Sequence, residues 1–242
     1  MVLPDDGLLT AATPIGGRKI ASEVPLTFYD EHPDDFDALI VFTNFTLQQD
    51  LPNHEANHVL VTNAITGLGL PRQNAAALFG SQGKLKGLIV VGDVSRFDIS
   101  TQTGQEQLDH LLLHELAHQW SGAVKFRVGP EQDSAALLRE DGRHWSYYDG
   151  FLSPLGGSGW RDNGDGTFTS QLSQKPDSVR RPYSDLDLYL MGLLPAQVIS
   201  PFFYVEPAVP GLLSNTIKGV AQTVTIDQVI AANGKRRCEL GR

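Results

Sequence analysis

The segment His114-Glu115-Leu116-Ala117-His118 carries the residue types and spacing that metal-assisted hydrolysis requires. Four residues of α-helix rise about 6 Å and turn just past one circle, so the imidazoles at 114 and 118 leave the same face. Two neutral ring nitrogens so placed can take adjacent corners of a tetrahedral Zn²⁺. Glu115 stands one residue to the side, where its carboxylate reaches a water on the ion without ligating the ion itself. Zinc lowers the pKa of such a water to roughly 7, and the carboxylate takes its proton as the oxygen attacks a carbonyl. The plainer alternative is a pair of hydrogen-bonded helix histidines. His110 lies on the same stripe, but three histidines on one straight helix span about 12 Å, too far for one ion. A solvated or supporting role is expected for it.

The helix that must carry these residues is the strongest element in the chain. Leu108, Leu111, Leu112, Leu116 and Trp120 recur at helical spacing and predict a helix over 105–120, with Gly122 as its stop. Before it, 26–29 and 38–45 read as strands, the second as a buried one. The run 59–62 is a shorter strand candidate, 74–78 one or two helical turns ended by Gly80, and 85–91 a buried strand with Gly87 inside it. After it, 123–128 alternates, 133–140 reads as a second helix, and 141–182 is loop-rich. Ser184 is an expected N-cap for a helix to about residue 193, with Asp185 and Asp187 in its first turn. Residues 195–199 suggest one further turn, 220–226 a strand, and 227–232 a short helix closed by Gly234. The expectation is an α+β fold, a mixed β-sheet packed on the metal-binding helix, with an irregular lead-in over 1–24, one domain over 25–234 and a tail over 235–242.

Residues 114–120, HELAHQW, resemble the zincin metallopeptidases, most nearly the aminopeptidase N type of gluzincin. Gluzincins take a third ligand from a glutamate about 18 or 19 intervening residues further on, and those positions here are Leu137 and Leu138. The metzincin extension fails as well, at Ser121 and Val124. The wider text resembles a group of uncharacterised bacterial zincin-like domains, sharing HWS at 144–146, SPLGG at 153–157, the W-x-DNGDGTFT turn at 160–169 and YSxLDLYLMGL at 183–193. That resemblance, over roughly 26–234, implies a zinc-dependent peptidase acting on a protein or peptide. It further implies a secreted or cell-surface setting.

The third ligand is left open. His144, 25 intervening residues beyond His118, is favoured. Glu140, 21 beyond, comes nearer the gluzincin glutamate, and Glu131, Asp133 and Asp149 complete the candidates. Tyr147 and Tyr148, close after His144, are candidate donors to a developing oxyanion, with Tyr183 behind them. The run Asp162-Asn163-Gly164-Asp165-Gly166 is out of register for a calcium loop and reads as a hairpin turn. Met191 reads as a core methionine, and His32, His54 and His58 as solvated loop residues.

The composition excludes several classes. Among 242 residues there are 19 Lys+Arg against 28 Asp+Glu, for a formal charge of −9. Nucleic-acid binding, which needs a basic face, is therefore not expected. One cysteine, Cys238, leaves no internal disulfide and no cysteine-based metal cage. No apolar run approaches the ~20 residues of a membrane span. The start, acidic and carrying a proline, lacks the pattern of a signal peptide, so the chain reads as cytosolic or as a domain of a larger exported protein. The competing function is a non-catalytic surface or interaction module with a structural or vestigial metal site.

Overall fold

A computed structural model of the chain describes residues 1–3, 16–45, 56–174, 181–212 and 214–238. The fold is mixed α+β, with several small sheets and, among the described residues, four α-helices. None of the helices is long and apolar enough to cross a membrane. The chain forms two compact units, one of residues 1–64 and 71–119, the other of residues 65–70 and 120–242.

The first unit is organised by one strand. Strands β1 (Ala38–Thr43), β2 (Ala56–Leu60) and β3 (Gly87–Asp93) form a three-stranded sheet in the order β1-β3-β2, with β1 parallel and β2 antiparallel to β3. Six consecutive residues of the GLIVVGD run in β3 are buried, because both of its faces are covered. Leu88 and Val90 pack in one cluster with Val24 and Tyr29 from helix α1 (Gly16–Glu31). Ile89 and Val91 pack in another with Leu108, Leu111, Leu112 and Leu116 from helix α2 (Gln102–Ala117). The leucine stripe therefore seats α2 on the sheet, while Thr101 caps its start by accepting from the Gly104 amide. Gly87 has a reason of its own, since a Cβ there would meet Gln119 Oε1 and His58 Nε2 at 2.7 Å.

Three expectations fail in this unit. Residues 26–29 are helical, inside α1, where Thr27 returns its hydroxyl to the Glu23 carbonyl and Val24 and Tyr29 share the core. Strand β1 is an edge strand with alternating exposure, Ile40 at 46% and Phe42 at 45%, rather than a buried one. His58 is buried on β2 and not solvated, whereas His54 lies outside the described residues. The turn over 74–78 appears as a 3₁₀ turn, Ala76–Phe79, closed by Gly80.

The second unit is built on antiparallel pairing. Strands β4 (Phe126–Gly129) and β5 (Gln132–Ser134) form a hairpin. Strands β6 (Trp160–Asp162), β7 (Thr167–Ser170), β8 (Phe202–Pro207) and β9 (Thr216–Val224) form a sheet in the order β8-β9-β7-β6 around Trp160, Phe168, Val205 and Ile217. The DNGDG run is the β6–β7 turn. Asp162 and Asp165 spend carboxylate oxygens on the amides of Gly164 and Thr167, which is turn chemistry and not a cation loop. The helix expected over 133–140 is absent. Asp133 pairs with Arg127 across the hairpin, and Ser134 Oγ accepts from the Ala136 amide, which ends the strand in a turn. Strand β8, with Phe202, Phe203, Tyr204 and Val205 in succession, is an element that the sequence analysis missed.

Two capping boxes fix the remaining helices. Ser184 and Asp187 cap α3 (Asp185–Met191), and Thr225 and Gln228 cap α4 (Ile226–Asn233). The Asp187 carboxylate does double duty, with Oδ2 accepting from the Ser184 amide and hydroxyl at 2.9 and 2.7 Å and Oδ1 from the Trp145 indole at 2.9 Å. Ser184→Ala should cost about 1 kcal/mol of unfolding free energy. Asp187→Ala should cost about 3 kcal/mol, because it orphans a buried indole N–H together with the cap. Urea unfolding of the two variants beside wild type checks the order, and equal losses would contradict it.

Candidate metal centre

The pair on α2 stands as its spacing demands. The His114 and His118 ring centroids are 5.1 Å apart with their planes at 82°, so the two imidazoles adjoin across one turn. Helical hydrogen bonding ends at Ala117, and His118 is the C-cap with αR backbone angles, which keeps the ring in helical register. His118 is buried and Glu115 is 5% exposed. Beside them, Gln119 bridges to the sheet, its Oε1 3.2 Å from His58 Nε2 and its Nε2 donating to the Thr62 carbonyl at 3.1 Å. The His58 and His118 rings lie 6.4 Å apart.

His144 sits in a loop that is held at several points. Trp145, fully buried, donates its amide to the Leu155 carbonyl and accepts from Arg139 Nε at its own carbonyl. The His144 carbonyl accepts from the Arg139 amide at 2.9 Å. Gly122 adopts a φ of +80°, and a Cβ there would strike the Arg143 carbonyl, so only glycine lets the chain approach this loop so closely. Asp141 completes the frame. Its Oδ1 accepts from the amides of Arg143 and His144, and its Oδ2 lies 2.8 Å from His144 Nδ1. Burial pushes the Asp141 carboxyl up, but those two amides and the His144 ring outweigh it and hold the group below its ordinary value. A carboxylate at Nδ1 fixes the proton there and leaves Nε2 with its lone pair, the arrangement usual for a ligating histidine.

His114 and His118, in the first unit, present two imidazoles one helical turn apart, and His144, in the second unit, is oriented by Asp141. Three imidazole nitrogens are a donor set suited to zinc, whose nitrogen ligands stand about 2.0–2.1 Å from the ion. The other candidates for the third position stand in different surroundings. Glu131 and Glu140 are exposed in turns, Asp133 is paired with Arg127, and Asp149 is wholly buried. The Tyr147 ring, 43% exposed, lies under the Arg139 guanidinium at 3.9 Å, and the Tyr148 hydroxyl donates to the Leu212 carbonyl at 3.2 Å. Tyr183 precedes α3, and Met191 ends it as a half-buried residue whose carbonyl accepts from Arg236. His32 stacks on Phe28 with ring centroids 4.4 Å apart. Asp141 is the supporting residue that the sequence analysis missed, although an aspartate three residues before a loop histidine is a legible turn signal. No family model, curated protein or solved structure matches this chain.

Asp149 is unusual in a different way. It is fully buried, and neither carboxylate oxygen has a hydrogen-bond partner among the described residues. Burial pushes its carboxyl well above the usual range, the nearby Ser146 amide and Arg139 offset only part of this, and the charge of Asp187 adds to it. An unfolded aspartate ionises near about 3.9, so between that value and the folded one the native state holds a proton that the unfolded chain lacks, and stability falls as pH rises. Asp149→Asn removes this term. Its melting temperature should exceed that of wild type at about pH 8, with the gap closing toward about pH 4. Parallel melting curves for the two proteins would contradict the assignment.

Proposed function

We propose that this chain is a zinc-dependent peptidase of the zincin type, with His114, His118 and His144 as metal ligands and Glu115 as general base. The observation that carries the reading is the pair of imidazoles one turn apart on α2 with a carboxylate one residue along the same helix. When bound, zinc supplies Lewis acidity, polarising a carbonyl and lowering the pKa of a water to roughly 7. His114 and His118 present their nitrogens from a helix that the leucine stripe holds against the sheet. His144 presents Nε2 because Asp141 occupies Nδ1. Glu115 takes the proton of the attacking water and passes it to the leaving amine. Tyr147 is the proposed donor to the developing oxyanion, since its ring is partly exposed while the Tyr148 hydroxyl is already engaged.

One observation favours a second reading, a non-catalytic module with a structural ion. Glu115 is 5% exposed, and peptidase action requires that this narrow opening admit a water. Glu115→Gln separates the two. The variant should keep zinc at wild-type stoichiometry and lose cleavage of an unfolded protein substrate by about 10²–10⁴-fold. Equal cleavage by both proteins removes Glu115 from the reaction, and zinc in both with cleavage by neither establishes the structural site.

Asp141→Asn tests the support of His144. The variant should bind zinc about 10–100-fold more weakly in a chelator competition, the usual effect of losing a carboxylate behind a ligating imidazole. Unchanged affinity would remove His144 from the ligand set.

A further inference from the structure

A groove of about 810 Å³ opens beside the His144 loop, within the second unit, and of its lining the proposed reaction uses only Tyr147 and, behind His144, Asp141. Its size is that of an ordinary small-ligand or side-chain pocket. Asp141 lines it, so the groove begins at the residue that supports His144. The aromatic part of its wall is Tyr147, Tyr148 and Tyr204, and the charged part Glu140, Asp141 and Glu206, with Arg139 as the only basic residue among its lining.

That arginine is already committed. Its Nε donates to the Trp145 carbonyl at 3.1 Å, and its guanidinium lies over Tyr147. Among the described residues it forms no ion pair with Glu140 or Glu206, and Glu206 has only Gln222 Nε2, at 2.9 Å, as partner. The groove thus combines two carboxylates, Glu140 and Glu206, that have no counter-ion among the described residues with aromatic faces, one of which already accepts a cation. Burial first, and then the charge of Glu206, push the Tyr204 hydroxyl above its ordinary value, in keeping with a negative potential at this wall. A long, flexible cation satisfies both components, its alkyl stem on the rings and its head among the carboxylates.

We infer that this groove is a substrate subsite selecting a Lys or Arg side chain of a peptide. The inference rests on the peptidase reading for its substrate class, and the experiment is arranged so that either can fail alone. A short fluorescein-labelled Ala/Gly peptide with one central Lys is titrated into zinc-loaded Glu115→Gln protein, beside peptides with Glu or Leu at that position. The Lys peptide should bind about fivefold to tenfold tighter than the Glu peptide at low salt, with the preference largely lost in about 0.5 M NaCl. Charge reversal, Glu140→Lys with Glu206→Lys, should invert the order of the Lys and Glu peptides. An inversion cannot arise from misfolding, which would weaken both. If circular dichroism shows the reversed protein unfolded, Glu140→Gln with Glu206→Gln should abolish the preference instead. Equal binding of Lys and Glu peptides to the parent protein, or a Lys preference that survives either double variant, overturns the subsite. Selective binding without cleavage by wild type would leave the subsite standing and remove the peptidase, whereas cleavage blind to the central residue would do the reverse.

Discussion

Trp145 is the fixed point of the second unit. Its ring is wholly buried, its indole N–H ends on the Asp187 carboxylate, its amide on Leu155 and its carbonyl on the Arg139 guanidinium. Every polar group the residue owns is therefore bonded in a place where water cannot replace the partner, so displacing it leaves a buried donor or acceptor unpaired. His144 is the residue immediately before it and shares that rigidity. A loop is ordinarily a poor platform for a metal ligand, because orienting it consumes part of the binding free energy. Here the loop is held by hydrogen bonds of its own. Asp141 then fixes which nitrogen faces outward.

The two buried aspartates of this unit make opposite uses of the interior. Asp187 accepts three hydrogen bonds and ties the start of α3 to Trp145. Asp149 accepts none among the described residues. One is a structural anchor, and the other a burden on folding at neutral pH. Arg139 and Tyr204, both electrostatically coupled to Asp149, line the tyrosine groove.

What could be read from the sequence followed the strength of local signals. The α2 stripe, the Ser184 and Thr225 starts and the DNGDG turn each rest on interactions within a few residues, and their elements appear with ends shifted by a few positions. The failures rest on distant partners. Residues 26–29 have strand-like composition, yet Val24 and Tyr29 are held in a helix by the cluster they share with β3. Residues 133–140 have helical composition, yet Asp133 answers to Arg127 across a hairpin. His58 looked solvated because nothing in NHEANH points to Gln119, 61 positions away. The same rule governs the candidate site. His114, Glu115 and His118 are legible because one helix turn relates them, while His144 could be favoured but not separated from Glu140 by spacing alone. The role of Asp141 needed the fold of its loop.

Cys238 gives the molecule a practical asymmetry. It is exposed, at the end of a two-residue ladder with Ile65, and it is the one sulfhydryl in the sequence. Alkylating reagents therefore meet a single nucleophilic sulfur, and a fluorophore or spin label attached there gives a homogeneous adduct without mutagenesis. In air the same sulfur has no mate within these 242 residues, so a disulfide there takes its second sulfur from outside them, a second copy of this sequence being one source.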